Sequence, residues 1–153
     1  MGVVEMKRLL LMVLVSSFLV ACGSEEAAEV EEEESNVVVY DDELKYDGFM
    51  VEGVETEVVD DTLHLTFRWI NRTGEKMHFT YLGFVDVTQG ESVLEESSGA
   101  YDMSNKSNIL FSNADGGSHR VDLEYEIVSD EDIEVTFGSN QTDKRDTITV
   151  QLD

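Results

Sequence analysis

Three histidines, one cysteine and a large excess of carboxylates are the residues of this chain that could do chemistry. His64, His78 and His119 form no HxxH, HExxH or HxH pattern, the spacings that put two imidazoles on one metal ion. They read as surface or hydrogen-bonded histidines. The acids gather at Asp41-Asp42-Glu43, Asp60-Asp61 and Asp130-Glu131-Asp132. Calcium needs about six or more oxygens converging from loops, and none of these runs has the EF-hand spacing. With 34 acidic residues in the chain, such clusters arise by chance. A carboxylate pair for glycoside cleavage would need a sugar cleft that a domain of this size scarcely holds. No Gly-x-Ser-x-Gly nucleophile elbow is present. Asn71-Arg72-Thr73, Asn105-Lys106-Ser107 and Asn140-Gln141-Thr142 fit the glycosylation sequon but read as turn chemistry. The expectation is a protein without catalytic residues, metal ligands or a cofactor.

The single cysteine excludes an intrachain disulfide. Its surroundings give it another use. Lys7 and Arg8 form a short positive segment, and residues 9–20 are an apolar run of 12, broken only by Ser16 and Ser17. Such a run has the length of a signal-peptide core and is too short to span about 30 Å of hydrocarbon. It ends in Leu19-Val20-Ala21-Cys22-Gly23, which resembles the lipobox of bacterial lipoproteins. That resemblance implies a diacylglyceryl thioether on Cys22, with palmitate-like chains, and cleavage between Ala21 and Cys22. Two acyl chains suffice for stable anchoring where one would be marginal. Met6 makes a tidier start than Met1, because residues 2–5 add an acid where signals avoid one.

Composition then bounds the rest. The chain has 153 residues and a formal net charge of −24, so one acidic domain follows the signal. Such a surface repels phosphate backbones, which argues against nucleic acid as a partner. Residues 23–34 read GSEEAAEVEEEE, with seven glutamates and no base. Glutamates three and four apart repel one another, so this stretch is expected to be an extended, disordered tether. A flexible coil of about 20 residues holds a domain roughly 25 Å from the bilayer. The expected organisation is a signal peptide at 1–21, a lipidated acidic spacer at 22–43 and a folded domain at 44–153.

The domain reads as β-structure. Leu63, Leu65, Phe67 and Trp69 alternate with His64, Thr66 and Arg68, a period of two that a helix would scatter. Asn71-Arg72-Thr73-Gly74 supplies a turn, residues 77–87 read as the next strand, and Gln89-Gly90 reads as a hairpin. Val121, Leu123, Tyr125 and Ile127 alternate again, followed by Ile133, Val135 and Phe137, then Ile148, Val150 and Leu152. About seven or eight short antiparallel strands predict an all-β, immunoglobulin-like β-sandwich. The chain has no proline, so its turns must be built from Gly, Asn, Asp and Ser.

The order of these features resembles a family of uncharacterised Gram-positive lipoproteins with an immunoglobulin-like domain of unknown function (DUF5067). The residues that carry the resemblance are Leu65 through Gly74 (LTFRWINRTG) with Phe79, then Val87-Thr88-Gln89-Gly90, then Val121-Asp122-Leu123-Glu124-Tyr125-Glu126. It covers residues 51–152 and implies a cell-surface sandwich facing the wall, with no reaction attached. The two cysteines of antibody-type domains are missing. On this reading the chain is a membrane-anchored extracytoplasmic lipoprotein carrying a non-catalytic binding module. Its expected partner is an envelope protein or wall polymer. The expected binding loop is the polar stretch 95–108, with Glu95, Glu96, Tyr101, Asp102 and Asn105. The alternatives are a small cation-dependent or hydrolytic surface enzyme, and a passive acidic surface protein.

Overall fold

The computed structural model describes residues 36–102, 104–105 and 108–152. Ala21, Cys22, the signal segment and the spacer up to residue 35 lie outside them. Among the described residues, strands β1 (Asn36–Tyr40), β2 (Leu44–Tyr46), β3 (Phe49–Val59), β4 (Thr62–Asn71) and β9 (Ser118–Glu126) form one antiparallel sheet. Its order is β1-β3-β4-β9, with β2 also on β3. The second sheet has the order β11-β10-β6-β7, from β6 (Gly83–Gln89), β7 (Ser92–Val93), β10 (Ile133–Ser139) and β11 (Arg145–Val150). Two short strands, β5 (Met77–His78) and β8 (Ser112–Asn113), pair separately. The sheets stay open rather than closing into a barrel, and the fold is a β-sandwich.

The alternation in β4 does what its period requires. Leu63, Leu65, Phe67 and Trp69 are all fully buried, opposite Tyr125, Leu123, Val121 and His119 of β9. The β3–β4 hairpin turns on Asp60-Asp61, with Asp60 in the left-handed region at φ 51. Asp tolerates that conformation better than most residues, and the chain uses it here without a glycine.

Two expectations change. The folded body does not begin at 44, because β1 pairs along its whole length with β3, from Asn36 opposite Val58 to Tyr40 opposite Val54. Val37, Val38 and Val39 belong to the sheet rather than to the spacer. Residues 77–87 are not one strand either. After β5 the chain makes a helical turn, α1 (Phe79–Leu82), before β6 starts at Gly83. Both Phe79 and Leu82 are buried. A strand would point residues three apart to opposite faces, whereas a helical turn brings them to one. Phe79 thereby reaches Phe49, Phe67 and Trp69, with ring centroids 5.5, 5.6 and 5.8 Å away. Phe67 in turn meets Phe137 of the other sheet edge-on at 5.1 Å. Gly83 then lets β6 close on β10, since a Cβ there would lie 2.5 Å from the Phe49 ring and 2.7 Å from the Gly138 carbonyl.

The turns are held by buried amide side chains. Gln89 is 1% exposed and uses its whole side-chain amide. Its Nε2 donates to the carbonyls of Ser129 (2.8 Å) and Glu131 (2.7 Å), while Oε1 accepts from the N–H groups of Val128 (2.9 Å) and Ser129 (3.0 Å). Gln89→Ala strands these backbone groups in a crowded site. It is expected to cost about 3 kcal/mol in urea unfolding with an unchanged slope, against little or nothing for the neighbouring exposed Glu91→Ala.

Candidate functional site

Residues 94–102 and 108–109 cover one open side of the sandwich, between β7 and β9. Leu94, Ala100 and Ile109 are buried, so much of this stretch is core rather than free loop. Glu96 bridges to Tyr125 of β9, the Ser97 N–H donates to the Glu124 carbonyl at 2.8 Å, and the Ile109 N–H donates to the Ala100 carbonyl at 3.0 Å. The Ser98 hydroxyl donates to the Glu96 carboxylate.

Of the five expected loop residues, three come together. Glu95, Glu96 and Tyr101 line one shallow groove with Asp86 of β6 and Tyr125 below them. Tyr101 is 51% exposed, so its ring offers a face to solvent beside three carboxylates. Asp102 and Asn105 lie in a separate turn, where the Asn105 N–H donates to the Asp102 carbonyl at 3.0 Å. The Ser104 N–H reaches the Asp102 carboxylate at 2.8 Å, and that backbone bond holds its carboxyl below the usual carboxylate range. Asn108, buried, ties the turn down by donating to the Asp102 carbonyl at 2.6 Å. The groove therefore combines an aromatic face with negative charge, a setting suited to cationic groups.

The histidines stay apart in role. His64 lies 3.5 Å from Glu124, His78 hydrogen-bonds the Leu110 carbonyl, and His119 stacks on Phe111 at 4.4 Å. Among the described residues, no group of three or more His, Cys, Asp or Glu side chains is placed to hold a metal ion. Of the acid clusters, Asp41 and Glu43 border a groove at the β-bulge of β3, next to Arg68 and Arg120. Asp60, Asp61 and Asp130 border a second cleft, at the β1–β11 side. Linear sequence gave no sign of that meeting, because its members are brought together only by the sheet order.

No family model matches the sequence, and no curated protein matches it. Two solved structures share the fold. One is a candidate lipoprotein of Bacillus subtilis, ycdA, with a TM-score of 0.50 and 16% identity over 72% of this chain. This chain spans only 38% of that one's length. The other is a candidate lipoprotein of Staphylococcus aureus, with a TM-score of 0.51 and 12% identity over 77% of this chain and 93% of its own. At these identities the likeness defines the class of fold.

The tyrosines of this side give a pH signature. Burial pushes the Tyr125 hydroxyl up, reinforced by Tyr101, Glu96 and Asp86, and burial followed by Glu96 and Asp86 raises Tyr101. A raised folded-state pKa means the folded chain holds the proton longer than the unfolded one. The associated stability is complete below the unfolded tyrosine pKa of about 10 and is lost as pH rises past it. Urea titrations are expected to show stability falling above about pH 10, with a shallower fall in Tyr125→Phe. An identical fall in that variant would assign the loss to other groups.

Proposed function

We propose that this chain is a membrane-anchored extracytoplasmic lipoprotein whose β-sandwich serves as a non-catalytic binding module. The observation that carries the anchor is the placement of Cys22. The only cysteine of the chain stands directly after a 12-residue apolar run with a positive start and a small residue before it. The two fold neighbours, each described as a lipoprotein candidate, support the reading. Wall-facing attachment in a Gram-positive envelope and membership of the DUF5067 family rest on the motif order around Asn71, Gln89 and Tyr125.

Support for an immunoglobulin-like topology comes from strand order. β3-β4-β9 against β11-β10-β6-β7 follows the A-B-E against G-F-C-C′ order of the immunoglobulin Greek key. Sandwiches of this kind bind through what crosses their ends and sides. The groove of Glu95, Glu96 and Tyr101 is the proposed contact surface of the 95–108 loop, for a cationic group on an envelope protein or wall polymer. The carboxylates favour such a group and the tyrosine face adds to it.

Two measurements test this. Cys22→Ser is expected to move the protein from the membrane pellet to the soluble or secreted fraction and to abolish incorporation of labelled palmitate. Retention of label in that variant would sink the anchor. Tyr101→Ala combined with Glu95→Gln is expected to lose cross-linked envelope partners seen with the parent chain, while the melting temperature shows the fold intact. Unchanged partners would sink the loop assignment.

A further inference from the structure

The sandwich has two lateral openings, and residues 94–102 and 108–109 cover only one of them. On the other side, β1 is the outer strand of one sheet and β11 the outer strand of the second. Val38 of β1, Val58 of β3 and Val150 of β11, with Ile127 and Leu152, line a cleft of about 470 Å³ at the end of that side where the β3–β4 turn lies. Among the described residues, β1 is hydrogen-bonded on one edge only, to β3. Val37, Val38 and Val39 are 50%, 44% and 53% exposed, so this free edge is apolar on both faces. Asp60, Asp61 and Asp130 rim the cleft, and none has a cationic partner among the described residues.

We propose that the free edge of β1 and the cleft beside it form a docking site for an extended partner segment of alternating apolar and basic residues. Strand addition uses the unpaired backbone groups of an edge, and alternate side chains of the added strand enter the space between the sheets. Apolar side chains fill the valine- and leucine-lined cleft. The basic residues meet the three aspartates. A second copy of this chain is the wrong occupant. Antiparallel self-pairing of β1 would set Asp41, Asp42 and Glu43 of one copy against the glutamates that precede β1 in the other, between molecules of net charge −24.

The test uses the full chain and two short acetylated peptides of equal charge, one alternating lysine with valine and one alternating lysine with serine. The lysine–valine peptide is expected to bind and to slow amide hydrogen exchange across residues 36–40. The lysine–serine peptide is expected to bind far more weakly. Asp60→Asn, Asp61→Asn and Asp130→Asn together are expected to weaken binding about tenfold and flatten its salt dependence. Asn is chosen because it tolerates the left-handed conformation of Asp60. Val38→Thr keeps the β-branched shape and removes one apolar surface, so a several-fold loss is expected there even if the triple variant folds poorly. Asp143→Asn, exposed in the turn between β10 and β11 and not part of the cleft, is expected to leave this binding unchanged. Equal binding of both peptides would reduce the effect to attraction by an acidic surface and overturn the proposal. So would absent protection in β1, loss of binding on Asp143→Asn, or dimerisation through β1 without peptide. Such failure leaves the anchor and the loop assignment standing, since neither uses β1.

Discussion

Asn71 ends β4 with every polar group of its side chain and backbone engaged. Its Nδ2 donates to the carbonyls of Glu75 and Asn113, at 2.6 and 2.8 Å, and its Oδ1 accepts from the Thr73 N–H and hydroxyl. Its backbone N–H donates to the Gly117 carbonyl and its carbonyl accepts from the Gly116 N–H. One buried residue thus joins the turn after β4 to the segment before β9. Gln89 does the same between the end of β6 and the segment before β10, and Asn140 binds the carbonyls of Thr80 and Gly83 next to α1. In a domain with neither proline nor disulfide, loops need some other means of losing conformational freedom on folding. A buried amide with all its bonds made fixes several backbone groups at once, and leaving them unmade in a dry site is expensive.

The aromatic cluster depends on those amides. Phe79 can sit among Phe49, Phe67 and Trp69 only if the chain leaves β4, pairs briefly as β5 and turns helically into the core. Asn71 sets the first of these steps through Glu75 and Asn113, and β8, which begins at Ser112, is the strand that β5 then meets. Asn140 secures the last, since its backbone N–H donates to the Leu82 carbonyl at 2.9 Å. Packing between the sheets and the closing of the turns are therefore one problem solved by a few residues.

Period-two alternation made β4, β9, β10 and β11 readable, because burial on one face is a local pattern. Leu63 to Trp69 and Val121 to Tyr125 point inward as that pattern demands. Asn71 and Gln89 were legible as turn residues but not as buried hubs, since the partners Asn113 and Ser129 that they tie in lie 42 and 40 residues away. The helical turn at Phe79 was hidden because its cause is tertiary: four residues carry no period. Val37 to Val39 sat next to a run of glutamates and were assigned to the spacer, although β-branched residues favour strands and these three pair with β3. At the expected loop, Glu95, Glu96 and Tyr101 line a groove, but polarity gave no hint that Ala100 and Ile109 of the same stretch are buried in the core. The opposite cleft draws on positions 38, 58, 127 and 150, a set no window along the chain could assemble.

That opposite side exposes the tension in this design. An edge strand with three exposed valines and no lysine, proline or bulge of its own would be expected to pair with its like. What stands against this is charge held nearby rather than on the strand. Asp41, Asp42 and Glu43 follow β1 directly, and Glu55 and Glu57 lie beside Val39 and Val37 on β3. Any second acidic copy meets that field within a Debye length of about 8 Å at physiological salt, where screening is incomplete. A basic segment meets the same field as attraction. The net charge of −24 thereby acts as a filter on which strands can approach, leaving the apolar edge open without leaving it indiscriminate.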